Sequence, residues 1–220
     1  MNDCFTTGKA YETESGAVVK TTRPDIPNLS DEVIIVWQDA RLRSPEQIRK
    51  AWALMGEIAE FQGQTKDEVY SEQKTEFTLK HLEILQGELF HLSNATVTMA
   101  RAFINMLVEI IIEFGIPTRD PLYGLCDDIP RYVYACAMNK KCAVCGRKAE
   151  LHHVDRVGMG RNRNEINHLG MHFLPLCGGI EGHHEEDHRI GERAFQEKYH
   201  LEPIPIDERI AKKYNLKMED

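Results

Sequence analysis

The chain has 220 residues, 42% hydrophobic and 28% charged, with a formal net charge of -8. That length and apolar content suit one large or two modest folded domains and exclude a disordered chain, while the acidic balance excludes a surface that grips nucleic acid all over. The longest apolar run, Ile104 to Gly115, is interrupted by Asn105 and Glu109 and is too short to span a bilayer, and the first residues lack the basic start and apolar core of a signal peptide.

A cytoplasmic protein with reduced thiols is therefore expected, with no membrane partner. Up to about Asp31 the chain is polar and without clear period, and reads as strand or loop. EVIIVWQ, Glu32 to Gln38, is a β-branched run of strand length and predicts a buried strand. Ser44, Pro45 and Gln47 then spell a helix start: an N-cap, a proline at the first helical position and the partner of a capping box. Ile48, Trp52, Met55 and Ala59 recur at helical spacing as its buried stripe, and Gly63 ends it. DEVYSEQKTEFTLKHLEIL suggests helix followed by strand. A further helix is predicted over TMARAFINMLVEIIIEFG, with Thr98 as cap, an apolar face of Phe103, Leu107, Ile110, Ile111 and Phe114, and Gly115 and Pro117 as the stop. The Pro-, Gly- and Asp-rich IPTRDPLYGLCDDIP reads as a linker, with a domain boundary between Asp127 and Arg131.

Charge is divided at the same place. Residues 131–220 carry 15 Lys+Arg and 14 Asp+Glu, leaving 12 and 21 for the rest. Basic clusters at 139–141, 146–148 and 160–163 stand in this near-neutral part, where a bound cation would add to them.

Three of the six cysteines, Cys142, Cys145 and Cys177, lie beside the eight of ten histidines that fall between His152 and His200. Cys142-x2-Cys145 followed by Gly146 has the form of a zinc knuckle, a tight turn that lets two thiolates reach one ion. The alternative, a redox pair, lacks the aromatic and proline surroundings of a thioredoxin-like site. Cys177 supplies a third ligand, and His183, beyond a GGIEG spacer, is the first candidate for the fourth. His184 and His188 stand at i and i+4; on a helix running from about Glu181 to His200 they would share a face and clamp an ion, although Glu185, Glu186 and Asp187 also fit a solvated helix end. ELHHVD and HFLPLC read as short strands that could pair as a hairpin. Hairpin and helix together would gather His152, His153, His172, His184 and His188. In a regular strand His152 and His153 point to opposite faces, so serving one site together requires an irregular backbone there.

The segment Cys142 to Tyr199 resembles the HNH endonucleases, the ββα-metal family, in the variant stapled by a structural zinc. The resemblance rests on the CxxC, the His152-His153 pair, a middle residue best matched by His172, and the final pair His184 and His188. The chain departs from the family pattern in two ways. His183 after a longer spacer replaces the second cysteine of the last knuckle, and histidine stands where Asn is common, which leaves Asn167 and His168 as alternatives to His172. The resemblance implies a treble-clef-like domain with structural Zn2+ on Cys142, Cys145, Cys177 and His183. It implies one divalent catalytic ion (Mg2+, Mn2+, Ni2+ or Zn2+) on His152, His184 and His188. It makes His153 the general base and has His172 orient it or contact phosphate, with Arg147, Arg161 and Arg163 as candidates for DNA-backbone contacts.

The stretch from Glu32 to Gly124 resembles the phage NinB/Orf recombination proteins, through Ser44, Gln47, Arg49, Lys50 and Trp52 at the opening of a helix and the later apolar LVEIIIEFG. An ordinary capped helix is the alternative. The resemblance implies a homodimeric module that binds single-stranded DNA and its binding protein, with Arg49 and Lys50 as DNA contacts. The expected architecture is α+β: a NinB/Orf-like domain over 1–130 and an HNH nuclease domain over 131–220. The expected function is metal-dependent DNA cleavage in phage recombination or replication, on single-stranded or branched substrates, in the host cytoplasm. The competing expectation is a non-catalytic zinc-binding recombination mediator.

Overall fold

The computed structural model describes residues 8–13, 16–21, 41–82, 84–85, 87–155 and 166–218. The predicted strand over 32–38 and the basic residues Arg161 and Arg163 lie outside them. Near the N-terminus β1 (Gly8–Thr13) and β2 (Gly16–Thr21) pair as an antiparallel hairpin, with Thr13 opposite Gly16 at its tip.

α1 (Pro45–Gln62) begins as its sequence requires. Gln47 N–H donates to the Ser44 hydroxyl, Ser44 N–H donates to the Gln47 side-chain carbonyl, and Gly63 closes the helix in the left-handed region. Its buried face is Ala51, Leu54, Met55, Ile58 and Ala59, a stripe rotated from the predicted one, while Ile48 and Trp52 are half-buried. Trp52 instead packs on the ring of Tyr70, 5.5 Å away.

α2 (Lys66–Lys80) opens on a second capping box, Thr65 with Glu68. The strand predicted after it is absent among the described residues. Residues 81–82, 84–85 and 87 make turns, and Phe90 N–H donates to the Thr78 hydroxyl. The physical reason is the ring cluster of Phe77, Phe90 and Phe103, with centroids 4.5–5.4 Å apart, which draws this stretch back over the helices.

α3 (Val97–Phe114) has its cap two residues before the predicted Thr98. Thr96 occupies that position and its hydroxyl accepts from Met99 N–H. The helix is buried around most of its circumference, from Met99 to Ile112, because α1, α2 and α4 all pack against it. Phe114 alone of the predicted face is solvent-exposed.

α4 (Ile129–Met138), capped by Asp128, packs on α3 from one side and on the second sheet from the other. That sheet has the order β3 (Glu150–His153), β4 (His172–Leu176), β5 (Ile204–Pro205), all antiparallel. α5 (His183–Ile190) and α6 (Glu192–Tyr199) follow β4. They replace the single helix expected over 181–200 because Gly191 breaks it, with φ 87° and ψ 145°. α7 (Glu208–Tyr214) closes the chain, with Tyr214 donating its hydroxyl to the Ala137 carbonyl of α4. The fold is α+β, and buried residues from Ala51 to Ala211 form one continuous apolar cluster.

The stretch expected to be a linker makes specific contacts. Asp127 accepts from Lys50 Nζ at 2.7 Å and from the buried Gln47 amide at 3.1 Å, tying α1 to the approach of α4.

Candidate metal and catalytic site

Two groups of ligands flank α5. The first is assembled from three places in the chain. Cys142 and Cys145 sit in a tight turn where Gly146 N–H donates to the Cys142 carbonyl and Lys141 bridges to Lys148. The turn is fastened to the sheet by Ala143 N–H to the Pro175 carbonyl, and to α4 by Tyr132, whose hydroxyl donates to the Ala143 carbonyl at 2.7 Å. Cys177 directly follows β4, and His183 opens α5.

The GGIEG spacer explains how a histidine completes this set. Gly182 N–H donates to the Gly179 carbonyl at 2.7 Å, and a Cβ at Gly182 would run into the Cys177 carbonyl oxygen and the Gly178 backbone, so the loop closes tightly only with glycine there. The fold-back brings His183 Nδ1 to 3.2 Å from Cys177 Sγ and 3.5 Å from Cys142 Sγ, while Cys145 Sγ lies 3.7 Å from Cys177 Sγ. A tetrahedron with metal–sulfur bonds of about 2.3 Å has sulfur–sulfur edges of about 3.8 Å, so these separations match a single ion among the four. Cys142, Cys145, Cys177 and His183 could hold a metal.

The electrostatics suit thiolate ligation. Arg147 donates from Nε to Cys145 Sγ and from a terminal nitrogen to Cys177 Sγ, both at 3.3 Å. Burial opposes ionisation of Cys145, yet the hydrogen bonds led by the Arg147 side chain bring its thiol below the ordinary value. Cys142 is fully buried and is pushed up to about 12 by that burial, the situation that a metal ion reverses. His183 presents its other face to Glu186, 4.0 Å from Nε2, and Glu186 is held by Lys198 and Tyr199 at 2.6 and 2.9 Å.

The second group is His152, His184 and His188, with ligand atoms within 4.8 Å of one another. Helical spacing places His184 and His188 on one face of α5, rings 5.0 Å apart, and the buried His152 ring meets them at 4.4 and 5.0 Å. Burial, and then the neighbouring imidazoles, lower the pKa of His152 and His184, which keeps the rings in the neutral form that ligates. Three imidazoles leave positions open for water and substrate.

β3 keeps regular antiparallel pairing through both histidines, His152 opposite Leu174 and His153 opposite Phe173, so the irregular backbone expected there is not found. The two side chains diverge: His152 meets α5, and His153 Nε2 lies 2.9 Å from Nδ1 of the buried His168. His172 stands apart, half-exposed, with its backbone N–H and Nδ1 on the Asp155 carboxylate at 2.6 and 3.2 Å. Of the three middle positions weighed from sequence, the structure brings His168 to His153, and Asn167 accepts from Leu169 N–H in a turn. Asp187 is a site residue that pattern reading passed over as solvated helix charge: it is buried against His152 Nε2 at 2.8 Å. Its spacing, three residues after His184, was the available signal. Among the candidate DNA contacts, Arg49 is exposed, Lys50 is ion-paired with Asp127, and Arg147 faces the cysteine sulfurs.

A two-stranded hairpin followed by a helix, with imidazoles converging between them beside a Cys3His cluster, is consistent with the fold of an HNH nuclease. A family model described as "Putative HNHc nuclease" matches residues 22–219, and the chain belongs to that family of HNH nucleases. The match runs through both the helical N-terminal part and the ligand-bearing C-terminal part. No curated protein and no solved structure matches the chain. A nuclease family implies a DNA substrate, and among the described residues no helix is long and apolar enough to cross a membrane.

Proposed function

We propose that the protein is a metal-dependent HNH endonuclease that hydrolyses DNA phosphodiester bonds. The observation that carries this reading is the convergence of His152 from β3 with His184 and His188 from α5. These three would hold one divalent ion, which when bound neutralises charge on the phosphate and stabilises the leaving oxygen. Cys142, Cys145, Cys177 and His183 would hold a structural zinc that fixes the start of α5, a helix whose N-cap is Gly182 and which has no side-chain cap.

His153 would be the general base. His168, whose Nδ1 lies 2.9 Å from His153 Nε2, would set the tautomer and angle of the ring that takes the proton of the attacking water. His172, paired with Asp155 at the surface, would contact phosphate rather than orient the base. Backbone phosphates would be met by Arg161 and Arg163 and, on the N-terminal side, by Arg49; Lys50 and Arg147 are engaged internally. The NinB/Orf resemblance assigns residues 1–130 to recruitment of single-stranded or branched DNA, its binding protein and a second copy of the chain, in phage recombination or replication within the host cytoplasm.

The test is plasmid cleavage with Mg2+, Mn2+, Ni2+ or Zn2+ supplied in turn, for the wild type beside His153→Ala and His168→Ala. His153→Ala should fold and bind DNA while cleavage falls by about 10²–10⁴-fold, with a smaller loss for His168→Ala. Equal cleavage by His153→Ala removes it as base. No cleavage by the wild type with any ion favours the binding-module alternative.

A further inference from the structure

The acidic run Glu185-Glu186-Asp187 on α5 is not uniform. Glu185 and Glu186 remain on the solvent side or in a surface network, whereas the Asp187 side chain is only 6% exposed and the His152 side chain it meets only 5%. Asp187 Oδ2 lies 2.8 Å from His152 Nε2, and Oδ1 is buried with no hydrogen-bond partner. Burying a carboxylate this completely is costly unless a donor compensates it, and the donor the structure supplies is one imidazole. Such a cost is retained where the carboxylate does something for that ring.

We propose that Asp187 is a positioning residue for the ion site: it holds the proton of His152 on Nε2, so that Nδ1 is the nitrogen this ring offers beside His184 and His188. A neutral imidazole carries its proton on one nitrogen and its ligating lone pair on the other, and the hydrogen bond made by the first decides which is which. Asp187 is well placed for this. It sits on the helix that carries two of the three ligands, one residue before His188 and three after His184, so the same rigid element delivers both ligands and the group that orients the third. The hydrogen bond also fixes the ring's rotation about its bond to the β3 backbone. The inference rests on the reading of these three histidines as an ion site.

Two measurements on the full chain, with structural zinc loaded, test it. Nitrogen-15 NMR of the ring before the second ion is added should show His152 as the neutral Nε2–H tautomer in the wild type and a mixture in Asp187→Ala. Calorimetric titration with Ni2+ should show a loss of roughly 10–100-fold in affinity for the second ion in Asp187→Ala, with zinc content unchanged. The isosteric Asp187→Asn, which keeps an oxygen acceptor in the same place and protects the fold, should lose less. A doubly protonated or Nδ1–H His152 in the wild type overturns the assignment, as does Ni2+ affinity in both variants equal to the wild type. Wild-type protein that takes up no second ion sinks the ion-site reading itself, and the role of Asp187 toward an ion falls with it.

Discussion

The two sides of α5 differ in what they leave open. Toward the knuckle, three sulfurs and one imidazole nitrogen surround a point at separations that a tetrahedral ion would fill completely, and Arg147 lies over two of the sulfurs. Toward β3, three imidazoles converge from one side and no fourth ligand is supplied among the described residues. Both sets depend on consecutive residues, His183 and His184, whose side chains leave the helix about 100° apart. The lesson is that one short helix can be anchored by a closed set of ligands on one side while it presents an open set on the other. The closed side secures position and the open side keeps room for chemistry.

The harshest way to break the comparison is to remove the closed side. Cys142→Ser should lose zinc and unfold the C-terminal part, abolishing uptake of the second ion as well, as read by metal analysis and circular dichroism. His188→Ala attacks the open side and should spare the other. Cleavage should fall by more than about 10²-fold while zinc content and melting temperature stay near wild type; a large loss of zinc would show that the two sides are not separable. Gly182→Ala tests the loop that lets a histidine close the first set. Its added methyl meets the Cys177 carbonyl, so a destabilisation of about 1–3 kcal/mol is expected in denaturant melts, with faster zinc release. The smallest effect should come from Arg147→Gln. Loss of its hydrogen bonds to Cys145 and Cys177 should speed zinc removal by a chelator several-fold, in the manner of a charge-assisted hydrogen bond, without unfolding; an unchanged rate would return Arg147 to the pool of DNA contacts.

Much of the site was legible because ligand chemistry is written in residue type and local spacing. Cys142 and Cys145 need only a turn to meet, and His184 and His188 need only a helix, so both pairs could be read along the chain. The helix starts at Ser44 and the stop at Gly115 were legible for the same reason, since caps and left-handed glycines act over four residues. What escaped was decided between elements. α2 carries a weak apolar pattern and was half mistaken for a strand, although Thr65 and Glu68 spell its start. Gly191 divides a helix that periodicity alone runs together. His168 and Asp187 became visible as partners only when the chain was folded, because a buried histidine and a buried aspartate look in sequence like a loop residue and a solvated charge. Lys50 shows the reverse: a basic residue that read as a DNA contact is paired with Asp127, 77 positions away.

By itself, then, the amino-acid sequence determined which side chains can ligate, which local turns and helices carry them, and the nuclease family to which their pattern belongs. Tertiary structure alone decided how the histidines are shared out. The register of β3 on β4 sends His152 toward α5 and His153 toward His168, and the fold-back at Gly182 turns His183 toward the thiols. The reason is geometric: neighbouring residues on a strand face opposite ways and neighbouring residues on a helix face about 100° apart, so adjacent histidines are parted by the packing of the elements that carry them.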